Sequence, residues 1–209
     1  MPPGNGRFFC IPGPWEGDLI CVPGLREGDR KMTVIRSAAA EDAARLLEIY
    51  GYYVRDTAVS FEIDVPDAEE FRRRIEHTLE RDPYLVAEED GAVLGYAYAG
   101  TFKARAAYDH CREVTVYLDK DARGRGLGRA LYGALERELK KRGVTNLYAC
   151  IASPVKEDEY LTNASENFHR RMGYVLAGTF HRCGFKFGRF YDMIWMEKLI
   201  GAPAEPENG

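Results

Sequence analysis

The chain has 209 residues, 45% hydrophobic and 30% charged, the composition of a soluble globular protein long enough for one domain with a substantial core. Its 29 Lys and Arg against 33 Asp and Glu leave a formal net charge of −4, which argues against nucleic-acid binding but not against a local basic pocket for an anion. No apolar run approaches the roughly 18 residues of a membrane span, and no basic region followed by an apolar core marks a secretory signal at the N-terminus.

Residues 1–31 are rich in Gly and Pro and follow no period. They resist assignment to strand or helix and read as a loosely ordered extension or a misassigned start. Phe8, Phe9 and Trp15 keep a second reading open, an arm packed on the domain or on a partner subunit. The patterned domain is expected over 32–200, with a flexible tail at 201–209. "MTVIRS" opens it as a strand. "AEDAARLLEIYGYYVRD" places Ala43, Leu46, Leu47, Ile49, Tyr50 and Tyr53 at helical spacing. Asp67 fits the N-cap of a helix running to about Arg81. "YLVAEEDGAVLGYAYAG" is a hairpin signal, two β-prone runs around Glu-Asp-Gly. In "CREVTVYL", Val114, Val116 and Leu118 alternate with Glu113, Thr115 and Tyr117, which puts the second trio on one face of a strand.

"LGRALYGALERELKKRG" carries an apolar stripe of Leu127, Leu131, Leu135 and Leu139. Lys140, Lys141 and Arg142 complement the negative end of that helix, and Gly143 stops it. "TNLYACIA" is a further strand. "NASENFHRRMG" is a short helix from near Asn163 to Gly173, and the remaining patterned stretch gives two strands turning near Gly188. There is no internal repeat and no interdomain linker. The expected fold is one mixed α/β domain with mostly antiparallel strands. Five scattered cysteines (Cys10, Cys21, Cys111, Cys150 and Cys183) form no CxxC pair and no Cys/His metal spacing. They read as free thiols in a reducing cytoplasm, with no metal site.

Between strand and helix runs "RGRGLG", residues 123–128. Glycines let a backbone approach a ligand and adopt positive φ. The first N–H groups of the following helix lack intrahelical partners and can face an anion. Arg123, Arg125 and Arg129 add charge. A structural loop is one reading. A dinucleotide fingerprint has the wrong spacing here, and a P-loop lacks its Gly-Lys-Ser/Thr.

The run resembles the pyrophosphate-binding motif of GNAT acetyltransferases, (Gln/Arg)-x-x-Gly-x-(Gly/Ala), with the strand before and helix after that the family has. The likeness extends over roughly Val34 to Lys198. "EIYGYYVRDTAVSFE", "KARAAYDHCREVTVYL" and "GFKFGRFYDM" are similar to the phosphinothricin acetyltransferase branch. The resemblance implies a mixed sheet of about seven strands with about four helices, acetyl-CoA as co-substrate, and a homodimer. It implies acetylation of the α-amine of a small amino-acid-like compound of the phosphinothricin or methionine sulfone and sulfoximine type. Acetylation of a protein or peptide, and a non-catalytic acyl-CoA-binding module, are the alternatives.

Carried over by position, the resemblance makes Glu113 the catalytic glutamate and assigns the cofactor to Leu118, Arg123, Gly124, Arg125, Gly126, Leu127, Gly128, Arg129, Asn163 and Ser165. It gives the substrate Phe61, Arg105, Tyr108, Thr115 and Tyr117. Two departures stand out. His110-Cys111 replaces the family's Trp-Thr, and "SPVKEDEYLTN" inserts extra residues before the last helix, which leaves the match of Asn163 one position off. The insertion reads as a lid or a dimer contact.

An amine is largely protonated near neutral pH and must lose a proton before attacking a thioester. A carboxylate can accept it, and Glu113 is the expected general base. His169 is the expected proton donor to the leaving thiolate, against a packing role, with Tyr174 weaker. Cys111 and Cys150 read as core residues rather than acyl carriers. Lys186 reads as solvated, with an anionic substrate tail as the alternative.

Overall fold

A computed structural model describes residues 33–202 together with the backbone pairing of Phe9–Pro12 (β1) and Leu19–Val22 (β2). β1 and β2 pair antiparallel, Cys10 opposite Cys21. Within the stretch 1–31, which resists assignment from sequence, two short β-prone runs between Gly and Pro thus pair even where no period is visible. The packing of Phe8, Phe9 and Trp15, and the tail beyond residue 202, lie outside the described residues.

The elements that follow are β3 (Thr33–Ser37), α1 (Ala43–Asp56), α2 (Ala68–Leu79), β4 (Tyr84–Glu89), β5 (Ala92–Thr101) and β6 (Cys111–Leu118). Then come α3 (Leu127–Lys141), β7 (Asn146–Ser153), α4 (Ala164–Arg171), β8 (Val175–Lys186) and β9 (Arg189–Leu199). Seven strands form one sheet in the order β3-β4-β5-β6-β7-β9-β8. Every pairing is antiparallel except β6 with β7. The mixed, mostly antiparallel sheet with four helices is the expected architecture.

Alternation along the strands divides two cores. Leu85, Ala87, Val114 and Leu147 face α3, whose Leu127, Leu131, Leu135 and Leu139 are all buried. Val86, Tyr96 and half-buried Tyr117 face the other way, against Leu46, Tyr50, Tyr53 and Phe71 of α1 and α2. Asp67 caps α2 as expected, accepting from the Glu70 N–H at 2.8 Å.

Two constraints set the loops around the site. Arg112, buried on β6, donates to the buried Asp82 carboxylate and to the carbonyls of Asp109 and Cys111. It ties the 102–110 connection to the end of α2. On β8, residues 181–183 bulge out between the pairs Phe180↔Met193 and Gly184↔Tyr191. Asp192 holds the bulge, accepting from the Arg182 N–H at 2.7 Å. Past the bulge, Lys186 is buried and donates to the Ser60 carbonyl at 2.6 Å. Lys186 is therefore not solvated but bonded to the backbone after α1. Gly184 lies so close to Phe61 that a Cβ there would stand 2.4 Å from the ring.

Arg112→Leu strands a buried carboxylate. Urea denaturation should show a loss of about 3–5 kcal/mol. Adding Asp82→Leu should return much of it.

Candidate active site

β6 and β7 exchange hydrogen bonds only over Cys111↔Asn146, Arg112↔Leu147 and Glu113↔Tyr148. Beyond that point the strands part, although β6 continues to Leu118 and β7 to Ser153. The Asp119 N–H donates across to Leu94 of the β5 side at 2.8 Å. Backbone polar groups alternate along an antiparallel strand, so the N–H and C=O of Val116 and Leu118 face the gap. Tyr53 takes the second pair. Its hydroxyl donates to the Leu118 carbonyl at 2.6 Å and accepts from the Leu118 N–H at 3.3 Å. Val116 has no such side-chain partner among the described residues, and its backbone faces the groove.

The glycine run lies at the wide end of the gap. Gly124 and Gly126 have φ of +76° and +84°, a left-handed conformation that costs other residues strain. Gly126 is the N-cap of α3, so the helix opens with bare N–H groups on the groove. Gly128 packs under the Phe168 ring. Arg123 lies over the rings of Tyr52 and Tyr53, 5.3 and 5.1 Å from their centroids.

From this loop a groove of about 370 Å³ runs along the parted strands, with Arg123, Leu118 and Ser165 among its walls. A side pocket holds Gly124, Gly126, Leu127, Gly128 and Arg129. Val116 and Ser165 are shared with a chamber of about 50 Å³ between the strands, which Thr115, Tyr117 and Cys150 also line.

Glu113 stands where the strands part. It is half-buried, and no hydrogen bond or ion pair holds its carboxylate among the described residues. Burial pushes its carboxyl above the usual carboxylate range, and the Lys103 ammonium pulls partly against that. Lys103 lies 4.8 Å over Phe102 and 5.7 Å from Trp195, and Phe102 stacks on Tyr148 at 4.1 Å. Arg105 and Tyr108 are exposed on the same connection, away from the groove, with Tyr108 edge-on to Phe102. Phe61 is likewise outside the groove, fixed between Gly184 and Tyr191.

A family model, the Acetyltransferase (GNAT) domain, matches residues 35–195. The chain is 33% identical over 85% of its length, and 93% of the relative's, to a phosphinothricin N-acetyltransferase of Streptomyces viridochromogenes. It is 30% identical to an L-methionine sulfoximine/L-methionine sulfone acetyltransferase of Salmonella typhimurium, over 83% of this chain and 98% of that one. A phosphinothricin acetyltransferase from Sinorhizobium meliloti, solved in complex with AcCoA, superposes with a TM-score of 0.76 at 32% identity, covering 85% of this chain and 94% of that one. The chain belongs to the GNAT acetyltransferase family. It is an acetyl-CoA-dependent N-acetyltransferase of the phosphinothricin acetyltransferase-like branch. Among the described residues no group of His, Cys, Asp and Glu could hold a metal.

Three positions of this acetyltransferase depart from the expected cofactor set. Arg125 turns out of the groove and donates to the buried Glu89 carboxylate, which also accepts from Thr33 at 2.6 Å. It anchors the glycine loop to the β4–β5 hairpin. The Leu127 side chain goes into the core at 3% exposure, leaving only its backbone to the pocket wall. Asn163 precedes α4 and donates its N–H to Glu157 at 2.7 Å, while its neighbours Thr162 and Ala164 line the groove. Tyr53, Lys103 and the groove-lining Glu159–Thr162 are the residues that sequence reasoning missed. Tyr53 gave only the signal of a helix-stripe residue, and Lys103 only that of a charge two residues from Arg105.

His169 is buried, and both ring nitrogens are engaged. Nδ1 lies 2.8 Å from the Ser165 carbonyl, so it carries the proton and donates. Nε2 is then an acceptor, 3.0 Å from the Tyr132 hydroxyl. Burial lowers its pKa, against the Ser165 hydrogen bond. This arrangement gives Nε2 no proton to pass on and does not support the donor reading. Tyr174 is a core residue, at 3% exposure.

A depressed histidine pKa stabilises the fold above the unfolded value of 6.5 and loses that contribution as pH falls through the folded one. Nitrogen NMR should show His169 as the Nδ1–H tautomer at neutral pH, titrating below 6.5. A charged imidazole at pH 7 would contradict this.

Proposed function

We propose that this acetyltransferase acetylates the α-amine of a small amino-acid-like acceptor, of the phosphinothricin or methionine sulfone kind, by direct attack with Glu113 as general base. The observation that carries the reading is the unpaired, half-buried Glu113 carboxylate at the point where β6 and β7 part. When bound, acetyl-CoA supplies a thioester carbonyl open to nucleophilic attack. The residues present fit it. The bare N–H groups at Gly126–Gly128, with Arg123 and Arg129, suit a pyrophosphate. The Val116 peptide suits an amide of the arm, and the chamber suits a group of acetyl size.

Glu113 takes the ammonium proton of the acceptor, directly or through a water, and its raised pKa brings it nearer the working pH. Thr115 and Tyr117 wall the chamber beside it, and holding both reactants there supplies much of the acceleration. Arg105 and Tyr108 receive the acceptor's carboxylate, for which a guanidinium fork is suited. Lys103 shares that connection, and its charge offsets part of the burial effect on the Glu113 carboxyl. Phe61, held against Gly184 and Tyr191, borders the acceptor side only through the segment after α1 that Lys186 ties down at Ser60. The free thiols Cys111, Cys150 and Cys183 support a reducing cytoplasmic setting. Exposed Phe180, Phe185 and Phe190 on the outer hairpin support a homodimer, which light scattering tests.

Glu113→Gln should keep acetyl-CoA affinity and lower kcat by about 10²-fold or more. It should also lose the acid limb that Glu113 ionisation imposes above the ordinary value of 4.5. A rate equal to the parent's at every pH would remove Glu113 from the base role. Thiol release from acetyl-CoA, measured with methionine sulfone, methionine sulfoximine, phosphinothricin and a peptide, tests the acceptor. Turnover of the peptide alone would replace the amino-acid reading, and binding of CoA without any turnover would leave a binding module.

A further inference from the structure

Residues 154–163, between β7 and α4, form a loop tied down by hydrogen bonds at several points. Asp158 accepts from the N–H groups of Tyr160 and Leu161, both at 2.9 Å, and from the Tyr191 hydroxyl at 3.0 Å. Leu161 is 3% exposed in a small separate core with Ala58 and Tyr191. The Tyr160 carbonyl accepts from the Ala58 N–H at 3.0 Å. The loop therefore spans from the β7 side of the gap to the segment just after α1. Glu159, Tyr160, Leu161 and Thr162 line the groove together with Tyr52, Tyr53 and the adjoining Thr57 and Val59.

One residue of the outer hairpin keys this loop. Arg189 donates to both Glu159 carboxylate oxygens, at 2.8 and 2.9 Å, and pairs with Asp158 at 2.9 Å. Its guanidinium also lies 5.2 Å over the Tyr160 ring, which stacks on Phe187 at 4.1 Å. Of the two carboxylates it pairs with, Glu159 lines the groove and Asp158 lies behind it, bonded to Tyr191 and to the loop's own N–H groups, so Arg189 both offsets a negative charge on the groove wall and ties that wall to the outer hairpin.

We propose that residues 154–163 are a fixed wall of the acetyl-CoA groove, keyed by Arg189 as a positioning residue, and that this wall sets the affinity and residence time of the cofactor. The proposal rests on the acetyl-CoA reading. The wall adds contacts along the arm and closes the side of the groove through which the arm would leave. Its effect falls on dissociation, where most differences in affinity between related complexes lie. Without Arg189, Glu159 becomes an uncompensated anion beside the cofactor, an effect strongest at low ionic strength.

The test uses the full chain, with CoA binding followed by calorimetry and stopped-flow and turnover followed by thiol release. Arg189→Ala should raise the KM for acetyl-CoA by about fivefold or more, with CoA leaving faster and a smaller change in kcat. Adding Glu159→Gln to Arg189→Ala should recover part of that loss at low salt, which a purely structural defect would not allow. Replacing residues 155–161 with a short glycine link should speed CoA release by about tenfold. Parent-like KM and release rate in Arg189→Ala would overturn the proposal, as would a double variant no better than the single one. Failure of the unaltered chain to bind CoA would instead overturn the functional reading on which the wall depends.

Discussion

Three pairs of residues join β6 to β7, and past Glu113↔Tyr148 the two strands lose each other. A buried strand edge without partners is costly, because each N–H and C=O left dry forfeits its hydrogen bond with water. The fold meets that cost at Leu118 with the Tyr53 hydroxyl and leaves it open at Val116. The groove, the chamber and the half-buried, unpaired position of Glu113 among the described residues all follow from this parting. Helices α1 and α3 on opposite faces keep the sheet in place on either side of it.

The glycine loop is the second half of the same device. Its left-handed glycines and the start of α3 bring unpartnered N–H groups to the mouth of the gap, and the Arg125–Glu89 pair fixes the loop to the hairpin. One arginine of the run anchors, and another, Arg123, faces the groove over a tyrosine pair. A run that looks uniformly basic in sequence is divided between a scaffold contact and a groove wall.

Local features were legible in the sequence. The α3 leucine stripe, the Asp67 cap and the alternation of β6 each depend on neighbours a few residues away, and each stands as read. What escaped depends on contacts between distant positions. Nothing near Arg125 points to Glu89, and nothing near His169 points to Tyr132. The burial of Lys186 follows from a bulge that Asp192 holds in another strand. The insertion at 153–163 shows in sequence only its length and charge; its tie to Arg189, some thirty residues on, is visible only in the fold. The β1–β2 pairing escaped for a different reason: four-residue strands are too short to show a period.

The central claim is that the open edge of β6 is where the acyl donor pairs. Amide hydrogen exchange at Val116, with and without acetyl-CoA, tests it most directly. The account predicts marked slowing of the Val116 amide on binding, together with the amides of Gly126, Leu127 and Gly128. Protection that appeared elsewhere while Val116 exchanged at its free rate would contradict it.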